Sequence, residues 1–106
     1  MLSMGEMEEI AHMLADEFDL RDKWGRQKSD KRFQGHKFFG NLRCPCCNNR
    51  KVGIYASRAK DNYLVRCWRD NCTLSNAVTL SYAINNYGSS TIKGEWKKKT
   101  GWIDYK

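Results

Sequence analysis

Arg43-Cys44-Pro45-Cys46-Cys47-Asn48-Asn49 and Tyr63-Leu64-Val65-Arg66-Cys67-Trp68-Arg69-Asp70-Asn71-Cys72 together contain every cysteine of this 106-residue chain. Cys44 and Cys47 have two residues between them, and Cys67 and Cys72 have four. A Cys-x-x-Cys turn folds the chain back so that both thiolates face one tetrahedral cation, and a second turn completes a shell of four. Thiolate-only tetrahedral sites favour zinc. Pro45 and Asn48-Asn49 suit the tight first turn, while the wider second turn must bulge. Cys44, Cys47, Cys67 and Cys72 are the expected ligands of one zinc ion. Cys46 is the odd thiol: a Cys44/Cys46 pair leaves one residue between thiolates and suits the geometry less well, so Cys46 reads as a spare near the metal. His36 is a weaker substitute ligand, and His12 reads as a surface residue. A shell of four thiolates leaves no position for an activated water, which makes the expected metal structural.

Outward from the cysteines, Val52, Ile54 and Tyr55 predict one short strand and Tyr63, Leu64, Val65 and Cys67 another, with Ala59-Lys60-Asp61-Asn62 as the turn. Ser75 is placed to cap a helix over residues 76–87, with Leu80, Ile84 and Tyr87 on one face and Gly88 as its C′ stop. At the other end, Ser3 and Glu6 fit a capping box. Met7, Ile10, Ala11, Leu14 and Phe18 recur behind it at helical spacing, which predicts a helix over residues 4–19. Packing of that face on the chain's own sheet is favoured over docking to a partner. Residues 94–105 read either as a β-hairpin turning near Thr100-Gly101 or as a mobile basic-aromatic tail. The expected fold is α+β: a small zinc ribbon, meaning a short antiparallel sheet with two cysteine knuckles, flanked by an N-terminal and a C-terminal helix. Three segments follow: residues 1–37 as acidic helix plus basic linker, 38–88 as ribbon with following helix, and 89–106 as tail or hairpin.

A chain this short, with 29% charged residues, buries only a thin core. A structural metal would compensate, since zinc binding contributes about 10–16 kcal/mol in small metal-folded peptides. An odd cysteine count, acids at the N-terminus where a secretory signal needs bases, and no long apolar run point to a reduced cytoplasmic setting without membrane contact. The formal charge of +7 is unevenly spread: residues 1–20 carry −6, residues 21–51 carry +8 and residues 52–106 carry +5. Such asymmetry fits a basic part that faces a polyanion. Trp24, Phe33, Phe38 and Phe39 interleave with the bases from Arg21 to Lys37, a combination that can neutralise phosphate and stack on unpaired bases, with a linker anchored to the ribbon by its aromatics as the alternative. Phe38 and Phe39, just before the first knuckle, read rather as anchors to the ribbon. There is no Gly-x-x-x-x-Gly-Lys loop, no His-Glu-x-x-His and no Asp-x-Asp pair, so no catalysis is expected.

The span from about Phe38 to Tyr87 resembles the zinc-binding domain of bacterial and phage DNA primases. The resemblance is carried by Cys44-Pro45-Cys46-Cys47, the run Lys51-Val52-Gly53-Ile54-Tyr55, the run from Tyr63 to Trp68, and Cys72-Thr73-Leu74-Ser75-Asn76-Ala77-Val78 with the helix after it. The second knuckle is wider than the family's usual two-residue gap. The resemblance implies a nucleic-acid-binding module that recognises single-stranded DNA template in a primase-like replication system, in the cytoplasm of a bacterium or of a phage's host. The family's separate polymerising domain has no counterpart in these residues. By position, the contact surface would be Arg43, Lys51, Tyr55, Arg58, Lys60, Tyr63, Arg66, Trp68 and Arg69. Tyr55 or Trp68 has the alternative of covering the knuckles, and Tyr63 that of packing inside the sheet. The competing reading is a small phage-like regulator or inhibitor whose acidic helix binds a host nucleic-acid enzyme as a protein partner.

Overall fold

The computed structural model describes residues 3–18, 31–33, 35–59 and 61–100. Five strands form one antiparallel meander in the order β1 (Lys31–Phe33), β2 (His36–Arg43), β3 (Arg50–Ala56), β4 (Tyr63–Cys67) and β5 (Val78–Thr79). Around it lie three helices, α1 (Met4–Glu17), α2 (Leu80–Tyr87) and α3 (Ser90–Thr100), and a short 3-10 turn at Thr73–Ser75. The α+β ribbon expected from the cysteine runs is the observed fold.

Alternation sorts the sheet into two faces. Phe39 and Leu42 of β2, Val52, Ile54 and Ala56 of β3, and Tyr63, Val65 and Cys67 of β4 are all buried on the inner face. Across that face lies α1, which buries Met7, Ile10, Ala11, Leu14 and Ala15. Its start is the expected capping box: the Ser3 hydroxyl accepts from the Glu6 N–H, and the Glu6 carboxylate accepts from the Ser3 N–H at 3.3 Å. The helix stops at Glu17, two residues before the expected end, because Phe18 turns away and its carbonyl accepts from the Arg43 N–H at 2.7 Å. That bond ties the end of α1 to the strand entering the first knuckle.

Three expectations are corrected. First, part of the basic segment read as linker is strand: Lys31–Phe33 pairs with His36–Phe38 around Gly35, whose φ of +85° needs a glycine. Second, α2 begins at Leu80 rather than after Ser75. Val78 and Thr79 pair with Val65 and Leu64 as a fifth strand, and the Thr79 hydroxyl takes the capping role by accepting from the Tyr82 N–H at 3.2 Å. The extra strand satisfies backbone groups that an earlier helix start would have left outside the sheet. Gly88 ends α2 in extended geometry, not left-handed, and is glycine because a Cβ there would lie 2.6 Å from the Ile84 carbonyl oxygen and 2.7 Å from Ile92.

Third, residues 90–100 form a helix and neither a hairpin nor a loose tail. Ile92 is fully buried, Trp96 packs beside it, and Lys97, Lys98 and Lys99 complement the negative end of the helix dipole. The Ser89 N–H and hydroxyl both donate to the Glu17 carboxylate, and Lys99 Nζ sits 3.0 Å from Glu9. One hydrophobic cluster runs from Met7 through the sheet to Ile92. Residues 101–106, including Trp102, and the basic stretch from Arg21 to Lys28 with Trp24 lie outside the described residues.

Candidate metal centre and outer sheet face

The first knuckle leaves β2 at Cys44 and re-enters the sheet at Arg50. Asn48 adopts φ +61°, a left-handed position that asparagine tolerates, and its N–H donates to the Cys44 carbonyl at 3.0 Å. Cys44 N–H in turn donates to the Asn49 carbonyl at 2.9 Å. Inside this loop the N–H groups of Cys46 and Cys47 point at Cys44 Sγ, at 3.4 and 3.5 Å. The second knuckle follows β4, with Cys72 N–H donating to the Arg69 carbonyl at 3.3 Å and Ser75 N–H to the Cys72 carbonyl at 2.9 Å. Four residues between cysteines are thereby accommodated as a bulged turn.

The two knuckles bring Cys44, Cys47, Cys67 and Cys72 together, with all four sulfur atoms within 4.8 Å of one another. Cys44 and Cys72 Sγ are 3.5 Å apart, and Cys47 and Cys67 Sγ are 3.7 Å apart. A metal–sulfur bond of about 2.3 Å sets a tetrahedral edge of about 3.8 Å. The two closest pairs lie near that edge, and all four thiols are close enough together to surround one tetrahedral ion. Cys46 stays out of the group: it is exposed, and its thiol donates to the Tyr87 hydroxyl of α2 at 3.3 Å. The side chain of His36 lies outside the described residues. His12 is half-buried on α1, 3.5 Å from Asp16 and edge-on to Phe39, away from the cysteines.

Burial pushes the Cys44 and Cys67 thiols above the ordinary cysteine range. Cys47 goes the other way, to about 6, chiefly because the Asn49 N–H hydrogen-bonds its sulfur. A cation entering the site finds the Cys47 thiol the readiest to ionise and must displace protons from Cys44 and Cys67.

On the opposite, outer face, Tyr55 of β3, Phe38 of β2 and Trp68, just past β4, form an aromatic cluster. Ring centroids lie 5.9 Å apart for Tyr55–Trp68, 6.4 Å for Phe38–Trp68 and 6.5 Å for Phe38–Tyr55. The Arg66 guanidinium lies 5.7 Å from the centre of the Trp68 ring. Gly53 makes the cluster possible: a Cβ there would collide with the Trp68 ring. Trp68 nevertheless remains 47% exposed, so it is a surface platform and not a cover for the knuckles. Among the described residues, no carboxylate pairs with Lys51, Arg58 or Arg66 of this face. The acids of α1 lie behind the sheet, where Glu8 pairs with Lys37, Glu9 with Lys99 and Glu17 with Ser89.

No known protein family, curated protein or solved structure gives a significant match to this chain.

The surface residues expected from the primase resemblance divide accordingly. Lys51, Tyr55, Arg58, Arg66 and Trp68 share the outer face. Arg43 and Arg69 are exposed at the knuckle end, where Arg43 donates to the Asn48 side chain at 3.2 Å. Lys60 lies outside the described residues. Tyr63 is corrected: it is fully buried on the inner face, because it alternates with Leu64 and shares parity with Val65 and Cys67. A ring there cannot stack on a base. Phe38 was missed as a surface residue. Of the adjacent pair only Phe39 is a core anchor, and strand alternation sends Phe38 to the outer face. Leu64 and Gly53 also belong to that face, and neither carries a chemical signal in sequence.

Proposed function

We propose that this chain is a zinc-stabilised nucleic-acid-binding module that holds single-stranded DNA template on its outer sheet face, in a primase-like replication system of bacterial or phage type. Zinc is the ion that a tetrahedral set of four thiolates selects. The observation that carries the nucleic-acid reading is the segregation of the sheet: three aromatic rings with Lys51, Arg58 and Arg66 on one side, and the acids of α1 on the other. Exposed rings offer stacking surfaces to unpaired bases, and the flanking cations meet phosphates. The competing reading, a regulator whose acidic helix grips a host enzyme, is disfavoured because Glu8, Glu9 and Glu17 are engaged within the chain and the apolar face of α1 is already covered.

The test is the salt dependence of single-strand binding by the zinc-loaded chain. Affinity should fall with salt at a slope of about −0.7 per phosphate contact. Arg58→Ala should weaken binding to all sequences alike and make the slope shallower by about 0.7, because a phosphate contact carries no base information. Absence of binding at low salt, with a protein partner captured through α1, would favour the regulator instead. Binding without catalysis is part of the proposal: with template, nucleotides and magnesium the chain should make no primer, and primer synthesis by it alone would contradict the reading.

A further inference from the structure

The aromatic cluster is not flat. Trp68 and Phe38 stand as a ridge with a hollow on each side. The larger, about 630 Å³, is lined by Tyr55, Arg58, Leu64 and Arg66 together with the ridge. The smaller, about 360 Å³, lies over Gly40 and Val52 and is bordered by Arg50 and Lys51. The larger falls within the ~300–1,000 Å³ typical of small-ligand pockets. Its apolar walls and its two arginines without carboxylate partners among the described residues call for a planar group attached to an anion. Resting on the nucleic-acid reading above, we propose that this hollow seats one nucleobase extruded from a single strand, stacked on Trp68 and Tyr55. The flanking phosphates then meet Arg58 and Arg66 on one side of the ridge and Lys51 on the other.

Three consequences follow from the lining. The site accepts any base, because stacking is sequence-tolerant and the Ser57 hydroxyl hydrogen is already committed to Asp61 at 2.8 Å. It refuses duplex interior, whose bases have no free ring face. It also depends on Gly53, which has no side chain and so lets Trp68 lie across the sheet. Gly53→Ala would therefore displace an exposed, movable ring while removing none of the cations Arg58, Arg66 and Lys51.

The experiment compares an oligothymidylate with an abasic strand of equal length and charge, both titrated onto the zinc-loaded full chain. The base-bearing strand should bind about 5- to 150-fold tighter, the range that one stacked base supplies, with the same salt slope. Trp68→Ala and Gly53→Ala should each abolish that difference without changing the slope. Trp68→Phe should restore part of it. An unfolding curve of Trp68→Ala that matches wild type would show that its loss of binding is local. Equal binding of the two strands, or a difference that survives Trp68→Ala, overturns the base-seating proposal while leaving electrostatic strand binding intact. Binding of neither strand removes the nucleic-acid reading and this inference together. Selective uptake of an acidic aromatic peptide in place of the strand also overturns it.

Discussion

Cys46 and Cys47 are neighbours with opposite fates, and the backbone decides which becomes a ligand. Cys47 turns inward, 3.7 Å from Cys67, while Cys46 turns out to Tyr87. Cys47→Ser should abolish tight metal binding, whereas Cys46→Ser should leave one ion per chain, both read by metal analysis of purified protein. Loss of metal from Cys46→Ser with retention by Cys47→Ser would reverse the assignment. Because Cys44 and Cys67 hold their protons above the usual range, metal uptake expels protons, and retention should weaken as pH falls. Tyr63 and Trp68 make the complementary contrast. Tyr63→Ala opens the core and should cost about 3–5 kcal/mol of stability, while Trp68→Ala should leave the unfolding midpoint nearly unchanged and act on binding. The convergence of the four cysteines was legible because metal chemistry dictates such spacing. For Tyr63 the sequence left surface and core both open, and strand parity with Val65 and Cys67 decides for the core: one residue along a strand exchanges core for surface.

At the scale of elements, β3, β4 and α1 were visible because their apolar periods, two and 3.6, are clean. The start of α2 was not. Ser75 looks like a cap, yet the structure uses Thr79, because sheet pairing of Val78 and Thr79 outweighs the local preference. Thr79→Ala should therefore cost about 1 kcal/mol, as cap removals do, and Ser75→Ala much less, by denaturant unfolding of the zinc-loaded chain. The helix α3 was hidden for a different reason. Its core contact rests on Ile92 and Trp96 alone, amid lysines and with Gly94 in its middle, so no periodic stripe announces it. Ile92→Ala should destabilise the whole domain by about 2–5 kcal/mol. An unchanged unfolding midpoint would return this segment to the status of a tail.

Over the whole molecule, the charge blocks of the sequence become a layered arrangement. The acidic block is α1, spread over the inner face and clasped to α3 through Glu9–Lys99 and Glu17–Ser89. Cations of the later blocks, Lys51, Arg58 and Arg66, stand on the outer face around three rings. No helix among the described residues is long and apolar enough to cross a membrane. What joins the layers is the sheet, and both knuckles that close one end of it converge on four sulfur atoms. Metal, fold and outer face are on this account one system, since Trp68 follows directly on Cys67 of the cysteine cluster. The most direct measurement is a chelator titration of the zinc-loaded chain, following metal content, thermal unfolding and single-strand affinity in one series. The account predicts one zinc per chain at the start, with unfolding temperature and DNA affinity lost together as it is removed and recovered when zinc is restored. A chain that keeps both its unfolding transition and its DNA affinity after the metal has gone would contradict it.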